Sequence, residues 1–311
     1  MAFRNKNYWA VILGGSSGFG LATAKKLSSW GMNICVVHRD RRGAMANIEK
    51  GFEQIRASGV RFHSYNTDAL SPEGRQGVID QLVPELDGGK VRLLLHSIAF
   101  GNLKLVAPQH PNERESVAAA LAAKLGLPPD KVEEAADSLF EAGDERFWSV
   151  ASPPRYESDL LMEDEDMART IYAMGTSLLC WTREIFDRKL FSEDARVLGM
   201  TSEGNETAWL GYAAVSAAKV ALESVSRSIA REFAPYGVRS NVVQAGVTNT
   251  PALKLIPGSA QLLARAKAKN PFGRTTRVED VANVIALLAT DEAGWINGSL
   301  VRVDGGEKIA G

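Results

Sequence analysis

The chain has 311 residues, 45% hydrophobic and 23% charged, with a formal net charge of -1. That length and apolar content suffice for one large α/β domain with a sizeable core, while the near-zero charge excludes a global pull toward nucleic acid or an anionic membrane surface. Cys35 and Cys180, set in apolar runs, and four scattered histidines offer neither a disulfide framework nor metal-ligand spacing, so buried thiols and no metal are expected.

The apolar run in MAFRNKNYWAVILGG is too short for a signal or membrane segment, which makes the cytoplasm the expected compartment. Short β-branched runs then alternate with amphipathic stretches: WAVILG, Gly18–Trp30, NICVVH, Arg41–Ser58, VRFHSY, Ser71–Leu86 and VRLLLH. The alternation resumes with RVLGMTS, a helix predicted over Ala208–Tyr236, VRSNVV, Val278–Leu288 and SLVRVDGG. This is the pattern of a parallel sheet covered on both faces. The expected fold is α/β, a doubly wound Rossmann-like sheet, with residues 1–311 forming a single domain.

Between residues 103 and 158 the alternation breaks. Asn112 and Glu115 have capping-box spacing, and Val117, Leu121 and Leu125 recur at intervals of four. After Gly126 and Pro128-Pro129, a second stripe runs through Val132, Ala136, Leu139 and Phe140. An inserted helical hairpin is predicted there. The run Glu163–Asp166 places favourable charge at the start of the next helix.

In VILGGSSGFGLATAKKL, Gly14, Gly18 and Gly20 stand between a strand and a helix, with Ser16, Ser17 and Phe19 among them. Glycine lets such a turn close and lets backbone approach a pyrophosphate, whose charge rests on the free N–H groups of the helix start. The cluster predicts dinucleotide binding, although a tight turn alone has the same composition. The second strand ends in His38-Arg39-Asp40-Arg41-Arg42. Arg39 and its neighbours suit a 2′-phosphate and favour NADPH, whereas Asp40 would favour the free ribose hydroxyl of NADH. A solvated basic helix start is the alternative.

Tyr212 and Lys219 lie seven apart on the predicted helix, about two turns or roughly 10 Å along one face. Lys219 can hold cofactor hydroxyls and lower the pKa of a tyrosine through its charge. A proton donor set one turn further out fits a conjugated thioester: hydride adds at the β-carbon, charge develops on the carbonyl oxygen, and a hydroxyl stabilises the enolate. Spacing alone also allows a packed aromatic and a surface amine.

Taken together, LGGSSGFG, Asp68-Ala69, HSIAFG at 96–101, Tyr212-x6-Lys219, NVVQAGVTNTPAL at 241–253 and VRVDGG at 301–306 resemble the short-chain dehydrogenase/reductase superfamily. Within it they look most like enoyl-acyl-carrier-protein reductases that keep the ordinary glycine spacing. The resemblance covers residues 7–102 and 160–308. It implies that Gly14, Ser16, Ser17, Gly18, Phe19 and Gly20 bind cofactor phosphates and ribose, and that His38 and Arg39 flank the 2′-phosphate. Asp68, with Ala69 beside it, would meet the adenine amine. Ser97, Ile98 and Ala99 would line the cofactor, Lys219 would bind its ribose, and Gly246, Thr248 and Thr250 would hold the nicotinamide amide and pyrophosphate. Val215 stands where most members of the superfamily carry the catalytic tyrosine, and Met174 near where they carry an asparagine. Ser202 lies at the family's serine position and is expected to bond the thioester oxygen or Tyr212, or to cap a strand end.

On the substrate side, Leu253, Leu255, Ile256, Leu262 and Leu263 are available to cover an apolar chain. Lys254, Arg265, Lys267 and Lys269 suit coenzyme A phosphates or an acidic acyl carrier protein, or form a solvated helix face. The resemblance implies a homotetramer paired through the Ala-rich helix. The expected activity is NADPH-dependent reduction of an enoyl thioester. The alternatives are a carbonyl or dienoyl-thioester reductase and a non-catalytic NADP-binding protein.

Overall fold

The computed structural model describes residues 2–109, 117–154, 156 and 160–310. Seven strands form one parallel sheet in the order β3-β2-β1-β4-β5-β6-β7: β1 Tyr8–Leu13, β2 Asn33–His38, β3 Phe62–Asn66, β4 Lys90–His96, β5 Phe191–Ser202, β6 Val238–Ala245 and β7 Leu300–Val303. The central strands are apolar almost throughout because both faces are covered. One face packs α1 (Gly18–Ser29), α2 (Met45–Arg56) and α10 (Val278–Leu288) through Ile12, Val36, Leu95 and Ile285; the other packs α3 (Pro72–Glu85), α7 (Ser177–Asp187) and α8 (Ala213–Glu232) through Val11, Leu94, Trp181 and Leu222. The fold is the Rossmann-like one expected.

α4 (Val117–Leu125) and α5 (Pro129–Glu141) pack on each other beyond β4. The stripe of α4 is the reverse of the predicted one. Val117, Leu121 and Leu125 are exposed, while Ala118 and Ala122 are buried against Val132. Alanines let the two helix backbones approach, which leaves the larger side chains outside. On α5, Val132 and Ala136 are buried as the spacing predicts and Leu139 is exposed. The capping box at Asn112 and Glu115 lies outside the described residues.

α6 (Asp164–Ile171) opens with the acidic run in use: Glu163 and Asp166 form a reciprocal capping box. A π-helical turn, Tyr172–Thr176, joins it to α7. α8 is shorter than the predicted helix. It begins at Ala213, with Tyr212 as its N-cap, so Tyr212 sits in the turn before the helix. α9 (Ser259–Lys269) follows β6. Cys35 is buried and Cys180 half-buried, both as free thiols.

Candidate active site

The C-terminal ends of β1, β4, β5 and β6 open onto one cleft of about 690 Å³. It lies where the strand order reverses between β1 and β4, the position at which an open α/β sheet leaves a crevice.

Gly14 leaves β1 at φ +79°, and a Cβ there would come within 2.5 Å of the Ser97 carbonyl, so the two strand ends meet only at a glycine. Gly20 packs on the Gly14 carbonyl from the helix side and does not line the cleft; it shapes the turn rather than the surface. Ser16, Ser17, Gly18 and Phe19 do line it. The Ser17 N-cap side chain does not bond the first amides of α1, and no acid stands in its first turn. The positive end of this helix therefore faces the cleft with no counter-charge from its own first turn, which fits a pyrophosphate.

His38, Arg39, Asp68 and Ala69 line the next part. Arg39 and Asp68, assigned to different parts of the dinucleotide by the resemblance, are bonded to each other at 2.9 Å, both about half exposed. The Arg39 guanidinium also lies 4.9 Å from the centre of the Phe100 ring, and Arg169 of α6 lies 5.3 Å from the same ring. An exposed ion pair is worth about 0–1 kcal/mol, so a phosphate can displace Asp68 from Arg39. Asp40, the acid that would favour a free ribose, is engaged by His38 at 2.8 Å.

At the other end, Ser97, Ile98 and Ala99 follow β4, and Gly246, Thr248 and Thr250 follow β6; all line the cleft. Thr248 Oγ1 donates to the Gly246 carbonyl at 2.9 Å and Thr250 Oγ1 accepts from the Leu253 N–H at 3.2 Å, so both loop threonines are set by local bonds. Lys219 is buried and donates to the Met200 carbonyl at 2.8 Å. Burial draws its pKa down to about 8, with Glu223 acting in opposition. Tyr212 is buried in an apolar cluster with Met174 and Val215, its ring 5.0 Å from that of Trp209. Burial pushes its hydroxyl above the ordinary tyrosine range and Ser202 draws it back. The Lys219 ammonium turns to the Met200 carbonyl, and the balance between burial and Ser202 leaves the Tyr212 hydroxyl above its ordinary range.

Ser202 ends β5. Its Oγ is buried and makes no hydrogen bond of normal geometry, although it lies near enough to Tyr212 to act on that hydroxyl. An unpartnered buried hydroxyl costs about 1–3 kcal/mol and marks a place for a ligand's polar atom. On the substrate side, Leu253, Leu255 and Ile256 line the cleft, and Leu262 and Leu263 do not. Lys267 pairs with Glu145 at 2.6 Å and Lys269 with Glu203 at 3.9 Å, while Lys254 and Arg265 are exposed.

The structure adds residues that the sequence reading did not single out. Fully buried His96 lies 2.8 Å from Ser177 Oγ, and burial with the Lys219 charge lowers its pKa to about 3, so it stays neutral. Glu223 accepts from Thr201 Oγ1 and Asn205 Nδ2, each at 2.7 Å. Its position four after Lys219 was a usable signal, because such residues share a helix face. Glu307 is buried behind the β6 loop and accepts from the Val247 N–H at 3.3 Å. No local pattern announces a contact that far along the chain.

Among the described residues, no group of three or more His, Cys, Asp or Glu side chains could hold a metal ion. None of their helices is long and apolar enough to cross a membrane.

A family model described as "Enoyl-(Acyl carrier protein) reductase" matches residues 129–308, and one described as "short chain dehydrogenase" matches residues 8–119. The enoyl-[acyl-carrier-protein] reductase [NADH] FabI of Escherichia coli (strain K12) is 36% identical over 123 residues, 40% of this chain and 47% of that protein. The 1-cyclohexenylcarbonyl-CoA reductase of Streptomyces collinus is 35% identical over 127 residues, 39% of this chain and 44% of that one. These matches span about half the length of the curated relatives or less. A short chain dehydrogenase from Burkholderia cenocepacia J2315, solved in complex with NADP, superposes with a TM-score of 0.69 at 18% identity, covering 98% of this chain and 99% of that one.

Proposed function

The chain belongs to the short-chain dehydrogenase/reductase superfamily, and over residues 129–308 to its enoyl-(acyl carrier protein) reductase family, and from that membership we propose that it uses NADPH to reduce the carbon–carbon double bond of an enoyl thioester. One observation carries the reading. Tyr212 and Lys219 line the same cleft, while the position one helical turn before Lys219 presents Val215, which has no hydroxyl to protonate a ketone oxygen.

The dinucleotide, when bound, supplies the hydride that adds to the β-carbon of the conjugated thioester. The chain's own residues manage the charge that develops on the thioester oxygen. Tyr212, kept protonated by burial, donates a hydrogen bond there, and Ser202 Oγ offers an unused hydroxyl beside it. Lys219 Nζ is the group for the ribose hydroxyls, and Leu253, Leu255 and Ile256 cover the acyl chain. A proton taken up from solvent water by the α-carbon collapses the enolate and completes the reduction. Engagement of Asp40 by His38 and the weak Arg39–Asp68 pair support NADPH over NADH.

The test is loss of nicotinamide absorbance with NADPH and a medium-chain trans-2-enoyl coenzyme A thioester, beside a saturated ketone. The wild-type chain should oxidise NADPH with the thioester and not with the ketone. Tyr212→Phe should lower kcat about 10²–10³-fold, with NADPH affinity unchanged. Tight NADPH binding without thioester turnover would overturn the proposal.

A further inference from the structure

The chain that leaves the sheet after β4 and returns at α6 reaches the cleft from outside. Ser152 anchors its returning arm: its N–H and its hydroxyl both donate to the Asp137 carboxylate of α5, each at 2.7 Å. Gln261 of α9 donates to the Ser152 carbonyl at 3.4 Å. Pro154 packs on Gly258 at the start of α9, where a Cβ would come within 2.7 Å of the proline ring.

Two residues further on is Tyr156. Its N–H donates to Gln109 Oε1 at 3.2 Å, and its hydroxyl donates to the Leu210 carbonyl. Its ring covers Gly211, where φ is +67° and a Cβ would meet the tyrosine oxygen at 2.6 Å. The next residue is Tyr212. Leu210 is 60% exposed, so core packing does not hold its carbonyl in place. The Tyr212 side of the turn rests on its N–H to the Trp209 carbonyl at 3.2 Å and on the Trp209 ring.

We propose that Tyr156 is a positioning residue: it pins the Leu210–Gly211 backbone, and so fixes where Tyr212 stands. Through Ser152 and Pro154 the same arm ties that turn to α9. The inference rests on the reading of Tyr212 as the enolate's hydrogen-bond donor. An arm outside the cleft thereby governs the geometry of a residue inside it.

The experiment compares wild type with Tyr156→Phe, which keeps the ring over Gly211 and removes the donor to Leu210. The readouts are steady-state kinetics with the medium-chain enoyl coenzyme A thioester, NADPH binding by fluorescence, and hydrogen exchange of the apoprotein over residues 209–216. Tyr156→Phe should lower kcat about tenfold, with KM and NADPH affinity changed by less than about twofold, because a misplaced donor affects the transition state and not cofactor binding. Exchange at 209–216 should accelerate while α1 and β2 keep their protection. Unchanged kcat with unchanged exchange overturns the inference. A parallel loss of kcat, NADPH affinity and thermal stability also overturns it, since that is what a merely structural tyrosine produces. Exchange requires no turnover, so a wild-type chain inactive on thioesters would sink the proposed function while the exchange data still decide the role of Tyr156.

Discussion

Lys219 sets burial against charge. The side chain is buried, one carbonyl accepts from its ammonium, and its pKa falls to about 8 from the ordinary value of 10.5. Between these values the unfolded chain binds more protons than the folded one, so this residue makes stability rise with pH across that window. The depression corresponds to about 3 kcal/mol. In urea titrations, the wild-type minus Lys219→Met difference in unfolding free energy should therefore grow by about 3 kcal/mol from pH 8 to pH 10.5; a flat difference would contradict the assignment. Ser202 makes the complementary case. Because its hydroxyl lacks a partner in the apoprotein, Ser202→Ala should leave the melting temperature equal or higher while lowering kcat. Tyr212 and Lys219 were legible in the sequence as a pair. Their surroundings were not: Met200 and Ser202 come from β5, a different element, and the acidity of both groups depends on what covers them.

At the scale of elements, the end of the sheet opposite the cleft is held by charge. Arg92 of β4 and Arg196 of β5 are fully buried, and they donate to the Ala289 and Leu288 carbonyls at the end of α10, at 2.8 and 3.0 Å. Asp194 accepts from Arg92 at 2.7 Å and from Arg196 and Arg239 at 2.5 Å. Burial pushes its carboxyl up, but the guanidinium groups of Arg196 and Arg92 outweigh burial and hold it below the usual aspartate range. The stability that Asp194 contributes is thus present at neutral pH and lost as pH falls through its depressed pKa. Asp194→Asn should destabilise the fold by about 3–5 kcal/mol, measured by urea unfolding at pH 7, because it leaves buried guanidinium charge uncompensated. A change below about 1 kcal/mol would mean that Asp291 and the carbonyls suffice. The strands and helices around this cluster were readable from their periodicity. The orientation of α4 was not, because helical spacing names a face without saying whether the larger or the smaller side chains find a partner.

For the molecule as a whole, the cleft runs from Arg39 at the end of β2 to Tyr212 before α8, so the proposed function puts cofactor preference and chemistry at opposite ends of one sheet edge. A ligand that binds only the folded state stabilises it by mass action, about 2.7 kcal/mol at a hundred times its Kd. NADPH should raise the melting temperature more than NADH does at equal concentration. Arg39→Glu should weaken NADPH about tenfold to hundredfold, the worth of a charged hydrogen bond, and reverse that order. An unchanged order would remove Arg39 from the 2′-phosphate site.

The sequence by itself determined the doubly wound sheet, the glycine turn at its first strand and the Tyr212–Lys219 pair, since each rests on local periodicity or on a spacing of a few residues. Only the tertiary structure decided that Tyr212 precedes α8 rather than lying within it, that Arg39 meets Asp68, that Glu307 closes the β6 loop and that Tyr156 reaches the turn at Leu210. These are contacts between residues far apart in the chain. Their partners are chosen by the packing of whole elements, which leaves no mark in the residues on either side.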